Sequence, residues 1–234
     1  PGCRECVEVL EEMRFESPKK RTPLFPFEKA HAVVDLALAD GRRSIALGQA
    51  LQFELTLRQV DVIGKWTRNV APGAGGIVWK GKRWGGGLLW SDLSSDLTLA
   101  KETTKTAADG EWDLSQYPLV MKALAAFPEA DRIGPMIVSE KTGRPYFGEY
   151  SREWRPFATK AGIPRDVWNR DSRAGGITEG FLASAAPFVA VIDADLQHDE
   201  TLLPRMLDAL RAGECDLAAG SRYLDAQGLD QGLS

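Results

Sequence analysis

Cysteine and histidine are scarce in this chain: 234 residues hold three cysteines, Cys3, Cys6 and Cys215, and two histidines. Three cysteines cannot build a disulfide framework and suit a reducing compartment. Cys3 and Cys6 form a CxxC, but no second cysteine pair exists to complete a zinc-type ligand set. No stretch approaches the 18 or so continuous apolar residues of a membrane helix. The longest candidate, around Phe181–Ile192, is shorter and ends in Asp193. Internal repeats and low-complexity tracts are also missing. The first residue is Pro1, with no basic-then-apolar leader, so the chain reads as cytoplasmic and as a fragment.

Hydrophobic residues make up 44% and charged residues 26%, which excludes wholesale disorder. The length suits one large domain or two small ones. The formal net charge of −4 hides an asymmetry. Residues 181–234 contain no lysine, three arginines and nine acidic residues, for a net of −6, whereas the preceding 180 residues carry a net of +2. A mildly basic part joined to an acidic tail predicts two segments with different partners.

Apolar spacing predicts a helix over Cys3–Arg14, an extended proline-containing linker over Ser17–Pro26, and helices over Phe27–Leu38 and Ser44–Val62. Glycines at 73, 75, 76 and 85–87 then punctuate short runs (Ile77–Trp79, Leu88–Trp90, Leu97–Leu99) that suit a small antiparallel sheet. Residues 117–127 and 150–161 read as helical again, joined by the turn-rich Lys141–Gly148. Phe188–Ile192 is apolar without alternation, as in a strand buried on both faces. Thr201–Ala212 reads as helix and Cys215–Ala219 as a following strand, completing a βαβ unit.

Three words in the middle of the chain carry a resemblance. They are Phe53-Glu-Leu-Thr-Leu-Arg58-Gln-Val-Asp61, the hairpin Thr103-Thr-Lys105-Thr106, and Asn169-Arg170-Asp-Ser-Arg173-Ala-Gly. Residues 25–178 resemble the catalytic domain of tyrosine recombinases and phage-type integrases. In that family two arginines and a lysine clamp a scissile phosphate while a tyrosine attacks it; preorganised cations stabilise the charge that gathers in the transition state. The resemblance implies Arg58 as first arginine, Lys105 as sheet lysine and leaving-group acid, and Arg173 as second arginine. DNA is the implied partner, without a cofactor. Arg170 stands where the family has a histidine; it cannot exchange a proton near neutrality but still binds phosphate. No tyrosine lies between Tyr150 and Tyr223, so the nucleophile is missing and strand cleavage is not expected.

The tail carries a second resemblance, in Gly180-Phe-Leu-Ala-Ser-Ala-Ala-Pro, Val189-Ala-Val-Ile-Asp193-Ala-Asp195-Leu-Gln197-His198-Asp199 and Gly220-Ser-Arg222-Tyr223. Residues 179–234 resemble family 2 nucleotide-sugar glycosyltransferases of the polyprenol-phosphate (dolichol-phosphate) mannosyltransferase type. Two hard carboxylates one residue apart can share Mg²⁺ or Mn²⁺, which bridges a donor diphosphate and eases its departure. The resemblance implies Asp193 and Asp195 as metal and diphosphate ligands, with Gln197 assisting and Arg222 near the phosphates. The implied donor is a nucleotide sugar such as GDP-mannose or UDP-glucose.

These readings predict a mixed α/β (α+β) chain in three parts. Residues 1–24 form an N-terminal helix and linker. Residues 25–178 form a mainly helical, incomplete recombinase-like core with a small antiparallel sheet. Residues 179–234 form an incomplete Rossmann-like βαβ unit of the GT-A type. The main functional expectation is DNA binding by the recombinase-like part. The alternatives are metal-dependent glycosyl transfer by the tail, or an inactive fusion or assembly artefact, because no Gly-, Ser- or Pro-rich linker separates the two parts.

Overall fold

A computed structural model of the chain describes residues 25–68, 76–102, 109–190 and 200–219. It is mixed α/β, with helices around one buried helix and three small antiparallel sheets at their side. The expected helix at Cys3–Arg14 lies outside the described residues.

Helix α1 (Phe27–Ala39) buries Ala30, Val33, Val34 and Ala37, the i, i+3, i+4, i+7 stripe of an amphipathic helix. It ends at Asp40–Gly41, where Arg42 N–H donates back to the Ala37 carbonyl at 2.8 Å. Helix α2 (Arg43–Glu54) follows at once and is buried from Ser44 through Phe53. A helix buried all round must be surrounded, and α2 packs against α1, α4 (Pro118–Leu124) and α6 (Ser172–Ala183).

The sequence pattern predicts α2 continuing to Val62, but it stops at Glu54. Thr56 takes a left-handed backbone (φ 52) that a β-branched residue rarely adopts, and this turns the chain before the short α3 (Gln59–Ile63). The Glu54 carboxylate points back and accepts the Leu119 and Val120 N–H groups (3.1 and 2.8 Å), capping the start of α4 from a distance. Burial raises its pKa despite those two donors.

The glycine-punctuated region is antiparallel as expected but does not form the single sheet expected: Val78–Trp79 and Thr98–Leu99 fall in strands of different sheets, whereas Leu88–Trp90 forms no strand, Leu89 making an isolated bridge with Pro135 and Trp90 opening a 3-10 turn. Strands β1 (Lys65–Arg68), β2 (Val78–Trp79) and β3 (Lys82–Gly85) pair in the order β1-β3-β2, with Trp66 opposite Trp84. Lys80 and Gly81 both have positive φ (48 and 67), the two-residue turn whose twist matches a hairpin. Trp66, Trp79 and Phe147 form an aromatic cluster beside it, with centroids 5.1–6.2 Å apart. Strands β4 (Thr98–Glu102) and β5 (Asp109–Asp113) pair antiparallel, as do β6 (Val138–Ser139) and β7 (Arg144–Pro145).

Helix α5 (Tyr150–Lys160) buries Tyr150, Trp154, Phe157 and Ala158. Phe25 packs edge-on against both Trp154 and Phe53, with centroids 6.2 and 6.0 Å away. Near the sheet side, Arg42 is ringed by Glu140, Glu153 and Tyr146. Burial by itself lowers the Arg42 pKa, but its bonds to Tyr146, Glu153 and Glu140 outweigh that and raise it.

Helix α6 runs unbroken through residues 178–180, where the two sequence resemblances meet. Its first half is locked in place: a Cβ at Gly175 or Gly176 would collide with the main-chain carbonyl of Phe25 or Phe53. Its second half meets little, and among the described residues nothing after Gly175 is buried. Helix α7 (Leu203–Arg211) forms within the span expected to be helical, with Pro204 in its first turn where proline is tolerated. The expected strands do not form where they are described. Residues 188–190 and 215–219 have no strand pairing, and Phe188 and Val189 stay 38% and 39% exposed. A strand buried on both faces needs neighbours on both sides, and among the described residues none is there.

Candidate functional site

The motif residues fall into two groups by location. Lys105, Asp193, Asp195, Gln197 and Arg222 lie outside the described residues. Arg58, Arg170 and Arg173 lie within them, on segments held together by a polar network.

Gln49 is the hub of that network. It sits fully buried on α2, where its side-chain oxygen accepts from Trp154 Nε1 at 2.7 Å and from Asn169 Nδ2 at 3.2 Å. Its amide donates to Ser172 Oγ at 3.1 Å. Asn169 passes the chain outward, its Oδ1 accepting from Gln59 Nε2 at 2.8 Å. A buried amide that uses both ends costs little, whereas an unpaired one is expensive, so the network fixes the segments it joins.

The consequence is positional. Arg58 stands at the N-terminal boundary of α3, next to Gln59. Asn169 precedes Arg170 in a 3-10 turn, and Ser172 precedes Arg173 at the start of α6. The Gln59–Asn169 and Gln49–Ser172 bonds therefore bring the Arg58 word and the Arg170–Arg173 word to one place. Arg58 and Arg173 are half-buried, and Arg170 is exposed with its guanidinium 5.3 Å from the Trp168 ring centroid.

Sequence reasoning singled out the arginines and passed over Gln49, Gln59, Asn169 and Ser172 as positioning groups. The available signal was a pair of glutamines, Gln49 and Gln52, inside an otherwise apolar helical stretch. Among the described residues no group of three His, Cys, Asp or Glu side chains could hold a metal ion. Among them, too, no helix is long and apolar enough to cross a membrane.

Comparison with known proteins bears on the C-terminal part. Residues 148–232 match the family model of Glycosyl transferase family 2. The chain is also similar to the dolichol-phosphate mannosyltransferase of Pyrococcus furiosus, 35% identical over 51 residues, which is 22% of this chain and 14% of that protein. The chain thus spans about a seventh of the length of that curated relative. No solved structure matches. The comparisons give no support to the recombinase resemblance of residues 25–178, and the matched region begins before the boundary expected at residue 179. It takes in α5 and α6, which pack on the helical core, together with the acidic tail.

Proposed function

We propose that residues 148–232 belong to a metal-dependent nucleotide-sugar glycosyltransferase of the polyprenol-phosphate type. The observation that carries this reading is the family match across the stretch holding Asp193-Ala-Asp195 and Gly220-Ser-Arg222. Asp193 and Asp195 supply two hard oxygen donors one residue apart, the donor type Mg²⁺ and Mn²⁺ take. An ion held by Asp193 and Asp195 would supply charge neutralisation to a leaving diphosphate. Gln197 and Arg222 add a polar and a cationic contact for the donor, GDP-mannose or UDP-glucose.

Calorimetric titration of the full chain with each sugar nucleotide tests this. Binding with Mn²⁺ that disappears in EDTA and in Asp193→Ala supports it. Binding of neither donor, or binding indifferent to Mn²⁺ and to Asp193→Ala, ends it.

A second reading, DNA binding by residues 25–178, is favoured by one observation: the Gln59–Asn169 hydrogen bond that brings Arg58 together with the Arg170–Arg173 segment. In this reading Arg58, Arg170 and Arg173 grip a phosphate, Lys105 would join them, and no cutting is expected. Duplex affinity should fall steeply with salt, and Arg173→Ala should lower the salt slope by about one. Salt-indifferent or absent binding removes this reading.

A further inference from the structure

On the outer side of α5, between that helix and the turn leading into α6, lies an open groove of about 630 Å³. Its volume is within the roughly 300–1,000 Å³ of small-molecule sites. Arg152, Arg155 and Arg165 line it, and Asp166 is the one carboxylate among the lining residues. No salt bridge among the described residues engages any of the three arginines. Arg155 instead donates to the main-chain carbonyls of Pro164, at 3.3 Å, and Val167. Burial, and then the charge of neighbouring Arg165, lower its pKa. Positive charge is therefore concentrated here against little carboxylate, which favours an anion.

Trp168 lines the same groove and is 51% exposed. Its backbone is pinned by the N–H donated to Asp171 Oδ2 at 2.7 Å, and the Arg170 guanidinium lies 5.3 Å from the ring centroid. A half-exposed indole on a hydrogen-bonded turn, beside a row of guanidiniums, offers a flat apolar plate and an anion site together. Neither a simple anion nor a simple apolar ligand uses both.

We propose that this groove binds a nucleotide unit, the base stacking on Trp168 and the phosphate taken by Arg152 and Arg165. The site needs no metal and draws on neither Asp193 nor Asp195, so it stands apart from the glycosyltransferase reading; it borders the arginine cluster of the second reading at Arg170, which lies against Trp168. The unit can be a free mononucleotide or one nucleotide of a single strand.

The test uses the full chain in EDTA at low salt, which silences a metal-dependent donor site. The probes are AMP by calorimetry and a fluorescently labelled 12-residue oligodeoxythymidylate by anisotropy. Both should bind in proportion to the stacking and charge provided: Trp168→Ala should weaken binding about tenfold, within the range that a base–aromatic stack contributes. Trp168→Phe should keep most of the affinity. The double variant Arg152→Ala/Arg165→Ala should weaken binding and flatten its salt dependence. These side chains are exposed, so the variants stay folded. An oligonucleotide that binds more tightly than AMP identifies a strand as the source, and the reverse order identifies a free nucleotide. Binding of neither probe, or affinity unchanged in Trp168→Ala and in the double arginine variant, overturns the proposal.

Discussion

Helices α1 and α7 carry the same kind of apolar stripe and meet opposite fates. Val33, Val34 and Ala37 of α1 are fully buried, whereas Leu203, Met206, Leu207 and Leu210 of α7 are all only half-buried. The difference lies in what faces them: α1 has α2 beside it, whereas among the described residues α7 packs chiefly on the short turn preceding it. Amphipathic spacing marks a face that can be buried; a partner surface decides whether it is. The same contrast divides the described residues, with side chains from Phe25 to Val167 building the hydrophobic core and nothing after Gly175 buried. The family match from 148 to 232 straddles that division.

Substitutions can sharpen this contrast or break it. Trp154→Ala should have the largest effect, removing a fully buried ring and a donor to Gln49, at a cost of about 3–5 kcal/mol in urea unfolding. Gln49→Leu comes next, at about 2–3 kcal/mol, because Trp154 Nε1 and Asn169 Nδ2 lose their shared acceptor inside the core. A loss below 0.5 kcal/mol in either variant would mean the network holds nothing together.

A smaller effect is expected at Glu54. Burial raises its pKa above the ordinary 4.5, so the folded chain holds this proton more tightly than the unfolded chain does. Its contribution to stability is therefore greatest below about pH 4.5 and is lost as pH rises through the raised value. Glu54→Gln should flatten that part of the curve of unfolding midpoint against pH; an unchanged curve would show that Glu54 titrates normally. The smallest effect belongs to α7, where Leu207→Ala should change stability by less than about 0.5 kcal/mol. A loss of 2 kcal/mol or more there would mean the tail is packed and would erase the contrast drawn above.

Much of the packed region was legible in the sequence. The starts of α1 and α2, the strand segments at Val78–Trp79 and Thr98–Leu99, and α5 follow from apolar period and turn residues, which are local signals, whereas β1 and β3 do not. The overrun of α2 past Glu54 was not legible, because Leu55 and Leu57 continue an apolar pattern while Thr56 takes a backbone that no local preference favours. Phe188–Ile192 differs in the other direction: its composition suits a doubly covered strand, yet Phe188 and Val189 stay 38% and 39% exposed and pair with no strand among the described residues. The arginine words were legible as motifs, but their meeting depends on Gln49 and Asn169, polar residues whose burial only the tertiary structure reveals. The lining of the Trp168 groove comes from α5 and the turn after it, and no single stretch of sequence displays it.

Helix α6 is held like a cantilever. At its root two residues without side chains let its backbone lie directly on the carbonyls of Phe25 and Phe53. At about 1.5 Å per residue, the stretch from Ile177 to Ala183 then reaches roughly 10 Å from the clamp. Whatever follows Ala183 inherits its heading from that root, so a single methyl group added at Gly176 would re-aim the chain beyond it.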